Sequence, residues 1–457
     1  MTSGTLLNRP GILPGRHARR RPASRWCLLR ERDFFLFWSG QTISRIGNGA
    51  YQIGLSWSVY RMTGSPAEMG LVFAVNLMPQ LVLLLIGGTV ADRITRRTVV
   101  LIGDAAAAIL TGGLTALSAI GGLSIPAIMA GAFLLGIVSS FHEPGYAAMN
   151  RDLVAEDQLG QANSLQSLSR SAARLLGPVV GGVVFGFGGA TLLFGLDAAS
   201  FGLAALAMLF TVATGPGRPT PRAQPVEPAQ PVEPAQPVEP AQPGVLRDLA
   251  AGLRYTVSTR WLLFILTISL IANCLCLAPY AVLLPDLVRS RHGDPRTLGL
   301  LTAVEIGTTI AGVLVIGRMR SGARAGSALL ALASVIGLGT VVLGFSRFGM
   351  AALAAGAVLI GAGLSFDVIE NTAMQVMVPP RLLSRVYSVN IAVSYSLLPV
   401  GYTVAGLLAR QFGASAVLSA GGIALIASCG CAALVPGVRR LGGPQTVSQG
   451  VEHAASA

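Results

Sequence analysis

Runs of roughly 20 or more mostly apolar residues recur along the chain, and each is long enough to cross a hydrocarbon core of about 30 Å. In the first half they lie near 34–60, 68–90, 98–120, 125–147, 163–187 and 190–212. In the second they lie near 259–286, 297–317, 326–345, 349–373, 384–409 and 414–436. Short charged or Gly/Pro-rich breaks separate them. This pattern predicts an all-α polytopic membrane protein with 12 transmembrane helices. Arg gathers before the first run, around Asp92, near Arg151, in the central linker, at Arg318–Arg324, at Arg381 and Arg385, and at Arg439 and Arg440. These segments all fall on one side, which places both termini in the cytoplasm, although Arg289, Arg291 and Arg296 dilute the asymmetry.

The second half repeats the first at a spacing of 225 residues, which sets Thr42-Ile43-Ser44 and Asn48 against Thr267-Ile268-Ser269 and Asn273. The same shift aligns Gly87 and Arg93 with Gly312 and Arg318, and Ser140-Phe141 with Ser365-Phe366. Parallel duplication of this kind implies two six-helix bundles enclosing a midplane site. The expected organisation is a cytoplasmic tail (1–33), a first bundle (34–213), a linker (214–258), a second bundle (259–438) and a second tail (439–457). Within the linker, three PVEPAQ copies from Pro225 to Gln242 favour an extended, solvated spacer.

Composition agrees. Of 457 residues, 52% are hydrophobic and 12% charged, too apolar for a soluble chain of this size, and the 56 Gly suit close packing of membrane helices. The net charge is +13, with Arg supplying every fixed positive charge. The tail from Arg16 to Arg32 has no aromatic interleaving and stops where the first span begins, so it marks topology rather than nucleic-acid binding. The first run is too long for a cleaved signal core. Cys274, Cys276, Cys429 and Cys431 lie in apolar spans and read as packing residues, and neither a metal site nor a cofactor is expected.

Ionisable groups inside spans mark function by default. The first bundle offers Arg45, Glu143, Arg170, Arg174 and Asp197; the second offers Glu305, Asp367 and Glu370. Arg45 falls about 16 Å into its helix at roughly 1.5 Å per residue, near the midplane, and calls for a partner. These groups either pair across the bundles and hold one conformation shut, or exchange a proton during turnover. Asp367 is the leading candidate for a proton, then Glu305, with Glu370 three residues beyond Asp367. Gln41, Asn48, Gln52, Asn273 and Gln375 supply polar lining for a cavity, with Arg45 and Arg174 as its charged members.

The segment GTVADRITRR, Gly88 to Arg97, packs four charges between two spans. With Gly88, Asp92, Arg93, Arg96 and Arg97 in that order it resembles the loop between the second and third helices of the major facilitator superfamily, with Thr95 where the family usually has Gly. The resemblance implies a charge relay between this loop and an acid at the end of the fourth helix, for which Glu143 is the candidate. In the fifth span, Gly177-Pro178 followed by Gly181-Gly182 resembles the fifth-helix motif of the superfamily's exporters. DFFLFWSGQTISRIGN, TGSPAEMGL and NRDLVAEDQLGQANSLQSLSRSAARLLGP are similar to the branch holding enterobactin and macrolide exporters, except that Asn48 stands where relatives often carry an acid.

What the resemblance implies is export of a small amphiphilic molecule driven by proton antiport; the chain is expected to work as a monomer in the lipid bilayer of the plasma membrane. Uptake of a nutrient by symport and a sensor that moves nothing remain open. The polar cavity residues and the Asp92 loop argue against the sensor. No phosphate loop, metal cluster or nucleophile triad points to an enzyme.

Overall fold

The computed structural model describes residues 27–91, 95–155, 158–211, 245–318, 325–345 and 349–434. Among the described residues every element is helical. A 3-10 turn (Cys27–Arg30) leads into α1 (Arg32–Thr63), α2 (Pro66–Ala91), α3 (Arg96–Ala119), α4 (Ile125–Ala148), the short α5 (Asn150–Leu153) and α6 (Leu159–Phe210). After the linker come α7 (Val245–Ser258), α8 (Arg260–Ala272), a π-turn (Asn273–Leu277), α9 (Ala278–Ser290) and α10 (Pro295–Arg318). The chain then forms α11 (Ala325–Gly344), α12 (Gly349–Leu364), α13 (Phe366–Met377), α14 (Pro380–Ser396), α15 (Leu398–Phe412) and α16 (Ala414–Ala433).

Among the described residues, ten helical stretches are long and apolar enough to cross a membrane. The difference from the twelve expected runs has two physical causes. α1 is not among the ten, because Gln41, Arg45, Asn48 and Gln52 lower its hydropathy. α6 counts once although its 52 residues would span roughly 78 Å at about 1.5 Å each. It turns back at Gly189, whose backbone (φ 62, ψ −155) is open to a residue without a Cβ. The last fourteen residues of the expected linker form α7, which packs on α14.

In the first half α1 and α3 pack along α6, and α2 and α3 pack on α4; in the second, α11 packs on α12 and α16, α10 on α12, and α15 on α9. The halves meet where α2 crosses α15 and α6 crosses α10. Both crossings depend on missing side chains. A Cβ on Gly182 would sit 2.5 Å from the Pro295 carbonyl oxygen, and one on Gly299 would strike the Pro178 carbonyl. A Cβ on Gly406 would sit 2.5 Å from the Pro66 oxygen, and one on Gly70 would strike Tyr402. Beside them the Tyr60 hydroxyl, at the end of α1, donates to the Asp286 carboxylate on α9. The Arg289 guanidinium lies 5.6 Å from the Tyr60 ring centre.

These contacts lie at one end of the molecule, where α1 meets α2 and α9 meets α10. Buried side chains continue through the junction, from Tyr51, Leu55 and Val59 to Leu283, Leu287 and Leu298. In the turn above α10, Asp294 accepts both the Thr297 amide (2.9 Å) and its hydroxyl (2.8 Å). Burial pushes the Asp294 carboxyl up, but those bonds and Arg296 outweigh it and hold it below the usual carboxylate range. The described chain begins and ends at the opposite end.

Closure at the α6–α10 crossing has a direct test. Gly182→Ala forces backbone apart at a cost of roughly 1–3 kcal/mol, a shift of about 5- to 150-fold away from the closed arrangement. In a cysteine-free background, labelling of Leu298→Cys, a buried position, by an impermeant thiol reagent then rises several-fold. Unchanged labelling of the folded variant would show that the crossing does not hold this end shut.

Candidate functional site

Positions 41, 44, 45, 48 and 52 recur at helical spacing and put polar side chains on one face of α1. That face walls a cavity of about 200 Å³ inside the first bundle, completed by Asn76 and Gln80 of α2, His142 and Glu143 of α4, and Asp197 of α6. Arg45 finds its partner here: its Nη2 donates to Glu143 Oε2 at 3.0 Å, and its guanidinium lies 4.0 Å above the Tyr146 ring. Two aromatic and ionic contacts thus offset the cost of a cation within the span. Gln41 Nε2 donates to Asp104 Oδ2 at 2.5 Å, and His142 Nε2 lies 3.0 Å from Asp104 Oδ1. Asp104 is fully buried yet has a partner for each oxygen.

Asp197 differs. It is equally buried, and neither of its carboxylate oxygens has a hydrogen-bond partner. Gly47 lets it reach α1, since a Cβ there would lie 3.0 Å from Asp197 Oδ1. Gln41 Oε1, the Tyr51 hydroxyl and Arg45 Nε are also buried and unpaired.

The second bundle treats its acids separately. Glu370, buried, takes Asn390 Nδ2 at 2.9 Å and the Ser269 hydroxyl at 3.3 Å. Glu305 accepts the Tyr280 hydroxyl at 3.2 Å. Asp367 and Glu370 do not share an environment, although three residues apart: Asp367 is exposed. The expected tenth run breaks at Ser365 into α12 and α13, and Asp367 lies in the first turn of α13. Arg174 of α6, also exposed, belongs to the first half and lies close enough to act electrostatically on Asp367 and on Tyr395 of α14 in the second. Asn48 and Gln52 are exposed as well, at the mouth of the first-bundle cavity.

The fifth-helix glycines divide their work. Gly177 and Gly181 press on Gly49 and Ala50 of α1, whereas Pro178 and Gly182 meet α10 of the other half. Asn273 starts the π-turn that interrupts the seventh span. Gly88 belongs to the last turns of α2, and Asp92 and Arg93 lie outside the described residues. Of the rest of that loop, Arg96 Nη1 bonds Asp152 Oδ1 at 2.8 Å, and Arg97 reaches the Met208 and Leu209 carbonyls. The acid that meets Arg96 is therefore Asp152 on α5, not Glu143, which is drawn to Arg45 within the bundle.

Asp104, His142, Tyr60 and Asp286 escaped the sequence reading. Asp104 and Asp286 were visible as acids within or at the edge of apolar runs, the signal that singled out Asp197. Among the described residues no three His, Cys, Asp or Glu gather as metal ligands.

Residues 23–440 match a family model described as transmembrane secretion effector. The multidrug efflux pump Tap of Mycolicibacterium fortuitum is 25% identical over 405 residues, covering 86% of this chain and 93% of Tap. The enterobactin exporter EntS of Citrobacter koseri is 26% identical over 392 residues, covering 84% of this chain and 87% of EntS. Among solved structures, the nucleoside transporter NupG superposes with a TM-score of 0.66 at 12% identity, over 87% of this chain and 98% of that one. A bacterial homologue of the iron transporter ferroportin, in an inward-facing state, gives 0.63 at 16% identity, over 87% and 98%. The two structures share the fold. With ten apolar helices and a match along almost its whole length, the chain is a multi-pass plasma-membrane protein and belongs to the transmembrane secretion effector family of the major facilitator superfamily.

Proposed function

We propose that this protein exports a small amphiphilic molecule, such as a drug, an antibiotic or a siderophore, by proton antiport. Support comes first from Tap and EntS, both exporters, which align with more than four-fifths of the chain. In this reading α1 is the first crossing and the two arms of α6 are the fifth and sixth, so the chain crosses twelve times as a single working unit. Both termini lie in the cytoplasm. The end joined by Tyr60–Asp286 and Gly182–Gly299 is then the outer face, and the gap beside Arg174 and Asp367 opens inward. Arg96 and Arg97 stand at that inner surface as the described part of the gating loop that Gly88, Asp92 and Arg93 complete in sequence.

The observation that carries the mechanism is the opposition of Arg174 and Asp367 across the two halves. Charged, the two attract and favour closing the inner end; a proton on Asp367 removes the attraction and frees the halves to rock. Glu305 and Glu370 are the further coupling acids, each already held by neighbours in its own bundle.

Expression in a drug-sensitive host lowers accumulation of at least one amphiphilic compound, and an uncoupler restores it. Accumulation that rises on expression and collapses with the gradient would make the protein an importer. In proteoliposomes, Asp367→Asn keeps substrate exchange but its response to an imposed pH gradient falls to that of protein-free vesicles. A wild-type response from that variant would move the coupling site to Glu305 or Glu370.

A further inference from the structure

The first-bundle cavity carries an imbalance that proton coupling in the second bundle leaves unused. Three carboxylates line or border it: Asp104, Glu143 and Asp197. Glu143 is answered by Arg45 of α1, and Asp104 by His142 of α4 and Gln41 of α1. Asp197 is answered by nothing: the ionisable group facing it from α1 is Tyr51, whose hydroxyl is itself unpaired, and the bond its own helix offers, from Ser200, goes to the Asp197 backbone oxygen. Of the five unpaired buried atoms on this wall, three are pure acceptors (both Asp197 oxygens and Gln41 Oε1), the Tyr51 hydroxyl can serve either way, and Arg45 Nε alone is a pure donor. A buried carboxylate with no counter-charge costs several kcal/mol, so a wall of this composition is complementary to a ligand that brings positive charge and N–H donors together.

We infer that the cavity binds the protonated amine of an organic cation, with the ammonium group against Asp197, Gln41 and Tyr51. This rests on the transport reading and narrows its substrate to molecules with a basic nitrogen. The volume, about 200 Å³, holds an ammonium group with a few carbons and not a whole drug-sized molecule. The remaining apolar body of the ligand therefore extends past Asn48 and Gln52 at the mouth, into the gap between the halves. Arg45 does not repel the ammonium strongly, because its charge is taken up by Glu143 and its face by Tyr146. A second cavity, an apolar groove between the π-turn, α15 and α16, has no charged side chain to select a ligand.

Binding is measured on the full chain in nanodiscs with dansylcadaverine, which is fluorescent and carries a primary ammonium, and with its neutral N-acetyl derivative. The wild type binds the ammonium probe at least ~10-fold more tightly, the scale of a hydrogen bond to a charged group. Asp197→Asn, nearly isosteric, removes that preference and brings the two affinities together; Asp197→Glu retains it. Equal affinity of the wild type for the two probes overturns the inference, and this comparison needs no variant to fold. A preference that survives in folded Asp197→Asn overturns it equally, since the ammonium would then bind elsewhere. Because no gradient or transport enters the measurement, failure of the export assay alone would count against the proposed function and not against this site.

Discussion

An unpaired charge inside a membrane protein is expensive, and Arg45, Asp104 and Glu370 each sit where that cost is met. Arg45 is the clearest case. At mid-helix it would be prohibitive alone, and it is offset by Glu143 on one side and the Tyr146 ring on the other. Asp104 is divided between Gln41 and His142, and Glu370 between Asn390 and Ser269. These bonds tie α1 to α3 and α4 in the first half, and α8 to α13 and α14 in the second. The same polar contacts that make the charges tolerable hold each bundle as a body. Asp197 stands outside the pattern, and it is the group from which a ligand site follows.

Between the bodies the rule is different. Contact there is made by backbone on backbone, at Gly182 against Pro295, Gly299 against Pro178, and Gly406 against Pro66. Van der Waals packing of this kind is strong when the fit is close and vanishes within an ångström or two of separation, so it suits a joint that must open. The Tyr60–Asp286 bond adds a polar contact at the same joint. Its partners lie on α1 of the first half and α9 of the second. At the other end the facing groups, Arg174 and Asp367, interact through space.

Hydropathy located the helices because lipid demands long apolar runs wherever the chain crosses. It was less informative where a helix faces polar company: α1 is too polar to be counted among the ten apolar helices because it lines the cavity, and it is the helix richest in site residues. The turn within α6 was visible as the Gly188-Gly189 break between two apolar runs. The environments of the acids were not legible. Asp367 and Glu370 have helical spacing that suggests a shared face, yet on α13, beyond the Ser365 break, the first is exposed and the second buried. Partner choice was equally hidden, since it depends on which helices touch: Glu143 and Asp152 are nine positions apart, and only the packing of α1 on α4 gives the first to Arg45 and leaves the second for Arg96.

In the proposed cycle two preformed bodies rock about the gap between Arg174 and Asp367, the outer joint opening as the inner end closes. Distances between spin labels test this most directly, with one pair across the outer joint at Thr63 and Ser290, one across the inner gap at Ser167 and Tyr387, and one within a single bundle. Over a pH titration, the outer distance is predicted to lengthen by several ångströms in the same fraction of molecules in which the inner distance shortens, while the distance within the bundle stays fixed. Outer and inner distances that lengthen together, or an internal distance that changes with them, would contradict it.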